Sequence, residues 1–560
     1  MSLTPSRHTL HFGRRRRRHP LRIVAGVLVV ALLAAGGFIL FRDDGPKGQE
    51  TRIDPVDPCT VPRDVLEKVW RGYVPGRSGD VLAIEQLPNQ FGTRHSTPWP
   101  YTQDIPLVFW GPGYIKKGFV SDDPVTLADV SPTFADLLQF DEYPVEKRDG
   151  IALSDALLEP EKRGTPPKLI FTVVWDGGGI NVLRQWPDDW PFLKKLMKEG
   201  ANFTDATVGS SPSITPATHS TLGTGTFPDK HGLTDIKMRI KGKIVDAFAG
   251  SNPSHFKLPT LGDLWDLAND NVPVVGMMAR DSWHLGMLGH GAFLEDADKD
   301  VAVMDQLSKG LDFRTNPEFY RLPNYLSQDG LQEAADALDQ KDGEADGQWL
   351  GNQIIPLDGR IRYSPAWNVY QMEQLELLIE NEELGVDDVP DLFYVNYKST
   401  DLAGHEWNML EAEVRQDLAA QDLALKQLVK VLNREVGRNN YVLSLTADHG
   451  MTPLPESTGG WSIDQSELAK DLEARFDKET PDVPIVMSNR GYQYMLSKKE
   501  LKRNGITVED VVEWMKSYSI GDNAKNDDLG DFADKADERI FLTVLTPRQL
   551  EASLSCNDES

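Results

Sequence analysis

LIFTVVWDGGG, residues 169–179, decides the reading of the fold. A nearly unbroken run of β-branched, aliphatic and aromatic residues is the pattern of a strand buried on both faces. It stops at Asp176, and the glycines that follow let backbone or ligand approach closely. Working outward, IPLVFWGPG (105–113), DLFYVNYKSTD (391–401) and NNYVLSLTADHG (439–450) repeat the theme, each a short apolar run leading into Asp, Gly or His. Between them lie stretches such as DWPFLKKLMKEG (189–200), LEAEVRQDLAAQDLALKQLVKVL (410–432) and SELAKDLEARF (466–476), where apolar residues recur at three and four as on an amphipathic helix. Strand-helix alternation predicts an α/β fold, a doubly wound and mainly parallel sheet sandwiched by helices. Ligands of such sheets bind beyond the carboxyl ends of the strands, where these Asp and His residues fall.

Composition sets the outer bounds. The 560 residues suit several folding units or one large α/β domain with insertions. With 40% hydrophobic and 26% charged residues, wholesale disorder is excluded. A net charge of −27 disfavours binding to duplex nucleic acid. Cys59 and Cys556 are the two cysteines, which excludes a disulfide-dense scaffold and a Cys-based zinc finger and leaves room for one disulfide. Oligomeric state has no signature here.

The front of the chain carries its own signal. Residues 23–41 are apolar and free of charge, about the length that crosses a bilayer. Arg14, Arg15, Arg16, Arg17, Arg18 and Arg22 precede them, which predicts a cytoplasmic N-terminus and a catalytic domain outside the membrane. An uncleaved single-pass anchor is the favoured reading and a cleaved signal peptide the alternative. The expected organisation is then a basic segment at 1–22, a transmembrane helix at 23–41 and a polar tether at 42–58. An outer domain follows, in which 285–365, rich in Asp, Gly and Asn, reads as an inserted cap.

Several residues carry chemistry. Asp401 and His405 are four apart, so a carboxylate and an imidazole can share one side of a helical turn and grip one metal ion. Asp448 and His449 follow a strand directly and offer an oxygen and a nitrogen donor at one sheet edge. The segment 210–232, SSPSITPATHSTLGTGTFPDKHG, is packed with hydroxyls, glycines and prolines, which suits a loop and helix start presenting a nucleophile and phosphate-facing amides.

Taken together and in this order, these fragments resemble the alkaline phosphatase superfamily, most closely its type I phosphodiesterase/nucleotide pyrophosphatase branch. The resemblance implies a phosphoesterase with two zinc ions, cleaving phosphodiester or pyrophosphate bonds through a phosphothreonine intermediate, and the anchor would hold this enzyme at the membrane. Carried over, it makes Thr215 the nucleophile. Asp176, Thr215, Asp448 and His449 would hold one zinc, and Asp401 and His405 the other. Manganese or iron can take the same donors. His219 and His231 receive supporting places outside the metal set.

The resemblance also implies a last zinc-binding histidine well after ADHGM, yet no His follows His449. GDVLAIEQLPNQFGTRHSTPWPYTQDIPLVFWGPGYIKKG (79–118) looks like the family's carboxy-terminal block, and His95 fills the vacancy. A circular permutation accounts for this: 59–158 would be the usual C-terminal segment moved to the front, 159–168 the linker sealing the old ends, and 169–556 the remainder. Cys59 and Cys556 would then flank the new chain ends, and a disulfide between them is implied. The branch's phosphoryl-contacting Asn is replaced by Ile236, so Thr218, Lys237 and Arg239 are candidates for that contact. His284 and His290 are candidate substrate-binding residues. Alternatives are a phosphomonoesterase, a transferase passing a phospho-group to an envelope lipid or polymer, and a degenerate binding protein on the same fold.

Overall fold

The opening run forms the strand Leu169–Trp175, the middle member of a nine-stranded sheet in the computed structural model. The structure describes residues 58–556, apart from 306–312, 328, 358, 480–481 and 525–528. Side chains of this strand alternate between two cores, as a period of two demands. Phe171, Val173 and Trp175 join the helices Pro191–Glu199, Ala366–Asn381 and Ala412–Leu432 on one face. Ile170 and Val174 join Val130–Leu138, Leu261–Ala268 and Leu222 of Thr215–Thr224 on the other. A central strand covered on both sides explains why its sequence is apolar without alternation.

Five neighbouring strands run parallel, in the order Val301–Asp305, Val275–Ala279, Asp391–Tyr397, Leu169–Trp175 and Tyr441–Thr446. Their carboxyl ends therefore share one edge, and they deliver Asp176, Asp448 and the Lys398–Asp401 turn to it. The strand Leu107–Trp110 lies beside Tyr441–Thr446 but runs antiparallel, with Leu107 opposite Thr446. The sequence reading treated 105–113 as one more strand leading into a functional loop. Its reversed direction means that the chain entering it, which carries His95, reaches the functional edge.

A separate four-stranded antiparallel sheet places Val81–Glu85 between Gln493–Leu496 and Phe541–Leu545. Val65, Leu66 and Val69 from the front of the described chain share its core with Val544 and Leu550 from the back. The two segments close at a Cys59–Cys556 disulfide, with Cα atoms 5.6 Å apart.

The stretch expected as a cap is partly structural. Val301–Asp305 is buried throughout and pairs with Val275–Ala279, while Leu331, Ala334 and Leu338 of the helix Leu331–Asp339 enter the main core. Its Asp-rich flank, DADKD (296–300), masked a short apolar strand. The apolar run 23–41 lies outside the described residues; among those described, no helix is long and apolar enough to cross a membrane.

Candidate metal centre and active site

Glycine brings the strand ends together. Gly177 has φ +69°, and a Cβ there would stand 3.0 Å from the Asp401 Cα; at Gly179 it would stand 2.4 Å from the Gly450 Cα. The three segments bearing Asp176, Asp401 and Asp448 can touch only because these positions lack side chains. Asp176 N–H donates to the Tyr397 carbonyl, and Gly177 N–H donates to Asp448 Oδ1.

Two groups of metal donors result. Asp176, Asp448 and His449 form one, with His449 Nε2 3.5 Å from Asp176 Oδ1 and 3.2 Å from Asp448 Oδ2. His95, Asp401 and His405 form the other, with Asp401 Oδ1 3.5 Å from His95 Nε2 and 3.3 Å from His405 Nε2. The groups adjoin: the His95 and His449 rings stack with centroids 3.4 Å apart. His95 Nδ1 is 2.7 Å from the Ser213 carbonyl and His449 Nδ1 2.9 Å from that of Gly450, so a ring proton at Nδ1 leaves Nε2 free to bind metal in both. The resemblance assigned these same residues, and the fold brings all of them together.

The donor set fits cations. Asp401 Oδ1, Asp448 Oδ2 and His449 Nε2 are buried without a hydrogen-bond partner, a cost of about 1–3 kcal/mol for each such group that a bound cation would remove. Burial opposes charge on Asp176 and Asp401, yet the Lys398 ammonium outweighs it and holds both carboxyls below the usual range. Lys398 Nζ lies 2.7 Å from Asp176 Oδ1 and 2.9 Å from Asp401 Oδ2. Burial lowers the His95 pKa, with His449 adding to the effect, which favours the neutral imidazole a metal needs.

Thr215 begins the helix Thr215–Thr224, and its Oγ1 is 3.0 Å from Lys398 Nζ. Both line a cavity of about 510 Å³ together with His95, Asp401, His405, Ile236 and Trp283. Arg94, Arg280 and Arg490 also line it. Arg94 donates to Gln465 Oε1 at 2.6 Å, and Arg490 pairs with Asp235 at 3.2 Å. A larger groove, about 780 Å³ between the helices of the opposite core, holds none of these residues.

Other expected substrate contacts have different work. The Thr218 hydroxyl donates within its own helix to Ile214 and Thr215 carbonyls. His284 is fully buried beneath the centre, its Nε2 3.3 Å from Asp176 Oδ2 and its Nδ1 2.9 Å from the Asp281 carbonyl, so it orients the Asp176 carboxylate. His290 is held by Asp263, with Nδ1 2.8 Å from Oδ2. Lys237 pairs with Asp246, and Arg239 forks onto Asp80. None of these lines the cavity. His219, with Nε2 3.1 Å from Asn396 Nδ2 and Nδ1 2.9 Å from the Thr215 carbonyl, can form a further donor group with Asp176 and His284. His231 is buried beside Thr221.

Residues 170–546 match the model of the type I phosphodiesterase/nucleotide pyrophosphatase family. The chain belongs to that family. The matched span begins after His95, which the fold nonetheless brings to Asp401. Among curated relatives, alkaline phosphatase PafA of Elizabethkingia meningoseptica is 23% identical over 421 residues, covering 65% of this chain and 76% of PafA. A calcium-transporting ATPase of Myroides odoratus is 24% identical over 416 residues, covering 64% and 74%. A solved structure of wild-type alkaline phosphatase PafA matches with a TM-score of 0.48 at 18% identity, covering 62% of this chain and 75% of that one.

Proposed function

We propose that this family member is a metal-dependent phosphoesterase with Thr215 as nucleophile, anchored at the outer face of a membrane. The observation that carries the reading is the gathering of Asp176, Asp448, His449, Asp401, His405 and His95 into two adjoining donor groups, of which His95, Asp401 and His405 share one cavity with Thr215. Asp176, Asp448, His449 and Thr215 would hold one zinc ion, and Asp401, His405 and His95 the other. Bound divalent ions supply Lewis acidity, favouring an ionised oxygen nucleophile and offsetting charge on phosphoryl and leaving-group oxygens.

The chain's own residues do the rest. Thr215 Oγ1 attacks phosphorus in line, the P–O bond to the leaving group breaks, and a phosphothreonine forms; water then cleaves it, releasing phosphate and restoring the hydroxyl. Lys398, 3.0 Å from Oγ1, holds the hydroxyl oxygen and favours its ionised form. Amides at the start of Thr215–Thr224 favour an anion there.

The sequence reading favoured diesters. The cavity supports monoesters instead, because a monoester dianion carries an extra charge and Arg280 reaches the cavity with no ion pair among the described residues. Ile236 and Trp283 offer an apolar wall for a single organic group. The alkaline phosphatase relatives agree with this preference. The residues 59–158 are read as the family's C-terminal segment carried to the front, supported by the shared small sheet. Anchorage rests on the apolar run 23–41 and its flanking arginines.

The test compares p-nitrophenyl phosphate with bis-p-nitrophenyl phosphate on the purified protein and on Thr215→Ala. Faster monoester hydrolysis, lost in the variant, supports the reading; faster diester hydrolysis returns the assignment to a phosphodiesterase. No hydrolysis of either would make the chain a binding protein on this fold.

A further inference from the structure

A second cluster of oxygen donors lies outside the proposed active site and shares no residue with it. Asp266, on the helix Leu261–Ala268, faces Asp298 and Asp300 from the loop that enters the strand Val301–Asp305, and the donor atoms of the three lie within 4.8 Å of one another. Asp266 is 4% exposed and Asp300 6% exposed, whereas Asp298 is open to solvent.

Proximity of carboxylates alone would mean little, since acidic clusters are common on protein surfaces. The second observation is Asp266 Oδ1, a buried oxygen with no hydrogen-bond partner. A buried acceptor left unpaired costs free energy that a ligand can recover. The local cations are committed elsewhere: Lys299 Nζ donates to the Pro317 carbonyl at 2.6 Å, and Arg321 is ion-paired with Glu382. The nearby Asp263 carboxylate accepts from the Thr260 and His290 N–H groups. Two buried carboxylates and one exposed one thus face each other; the Arg321 charge reaches Asp298 and Asp300, but none of the three has an ion pair among the described residues.

We propose that Asp266, Asp298 and Asp300 form a binding site for a hard divalent cation of the calcium class. All donors are oxygens and none is His or Cys, which suits calcium and disfavours zinc. The exposed Asp298 gives access from solvent and leaves room for water ligands. A bound ion would pin the 294–300 loop to the helix Leu261–Ala268 and so secure the edge of the main sheet.

The test uses the full chain as purified, with its active-site metals in place. Calcium alone is added, and binding is followed by equilibrium dialysis and by Tm. The account predicts one calcium per chain and a Tm rise of about 2–4 °C at a hundredfold excess over Kd. Asp298→Asn, an exposed substitution that the fold tolerates, should weaken calcium binding at least tenfold with arylphosphate hydrolysis unchanged. Asp401→Asn, at the active site, should leave calcium binding intact. Equal calcium uptake by wild type and Asp298→Asn, or loss of uptake in Asp401→Asn, would overturn the proposal. So would a calcium-insensitive Tm that Asp300→Asn raises, because the carboxyls would then share protons rather than hold an ion.

Discussion

His95 Nε2 stands 3.5 Å from Asp401 Oδ1, joining a histidine near the front of the described chain to a carboxylate in its second half. The antiparallel strand Leu107–Trp110 makes the contact, because its direction turns the incoming chain toward the edge where the parallel strands end. The His95–Asp401–His405 donor group therefore includes a residue outside the matched family span.

Lys398 is the first residue to test. It bridges Asp176, Asp401 and Thr215, so Lys398→Met should lower kcat for p-nitrophenyl phosphate by about 10²-fold, the scale of one preorganised electrostatic contact. Metal content, read by mass spectrometry, should be unchanged. A kcat equal to wild type would reduce Lys398 to a charge-balancing role.

Arg280 decides ester preference in this account. A charge-assisted hydrogen bond is worth about 1.5–3 kcal/mol, so Arg280→Ala should lower kcat/KM for the monoester at least tenfold while changing the diester value little. Equal losses for both esters would show that Arg280 does not read the extra charge.

Glu85 gives a pH signature. It sits fully buried in the central strand of the small sheet, and burial pushes its pKa up from 4.5 to about 8, against a hydrogen bond donated by Tyr101. The folded state thus holds this proton more tightly than the unfolded state does. Its stabilising contribution is complete below about pH 4.5 and is lost as pH rises toward 8. Glu85→Gln should flatten this loss, so the gap between variant and wild type in urea unfolding midpoints should grow from pH 5 to pH 9. A constant gap would count against the raised pKa.

The Cys59–Cys556 bond closes a loop spanning a sequence separation of 497. In the chain-entropy model such closure stabilises by about 6 kcal/mol, above the roughly 2–5 kcal/mol that loss of a native disulfide typically costs. Cys59→Ser should lower Tm and expose the front of the chain to proteolysis before the main sheet unfolds. Free thiols in the wild-type protein under non-reducing conditions would remove the bond from the account.

Much of this was legible because strand ends are written plainly in sequence. VVWDGGG, STDLAGH and ADHGM each place a donor just after an apolar run, and all three arrive at one edge. Local patterns are blind to direction, so 105–113 was read as a strand leading out to a functional loop when it leads in from one. Lys398 stood inside a quoted stretch yet carried no spacing signal, since its role arises from carboxylates far away in the chain. Arg280 and Arg490 gain meaning only from the cavity wall they share. His284 and His290 looked like pocket residues because histidines in a polar stretch suggest ligands; buried carboxylates at Asp176 and Asp263 use them instead.

The central claim is that His95 completes a two-metal phosphoesterase centre. The most direct test measures zinc per chain together with p-nitrophenyl phosphate hydrolysis in wild type and His95→Ala. The account predicts about two zinc ions in wild type, about one in the variant, and activity reduced at least a hundredfold. Full zinc content with full activity in His95→Ala would contradict it.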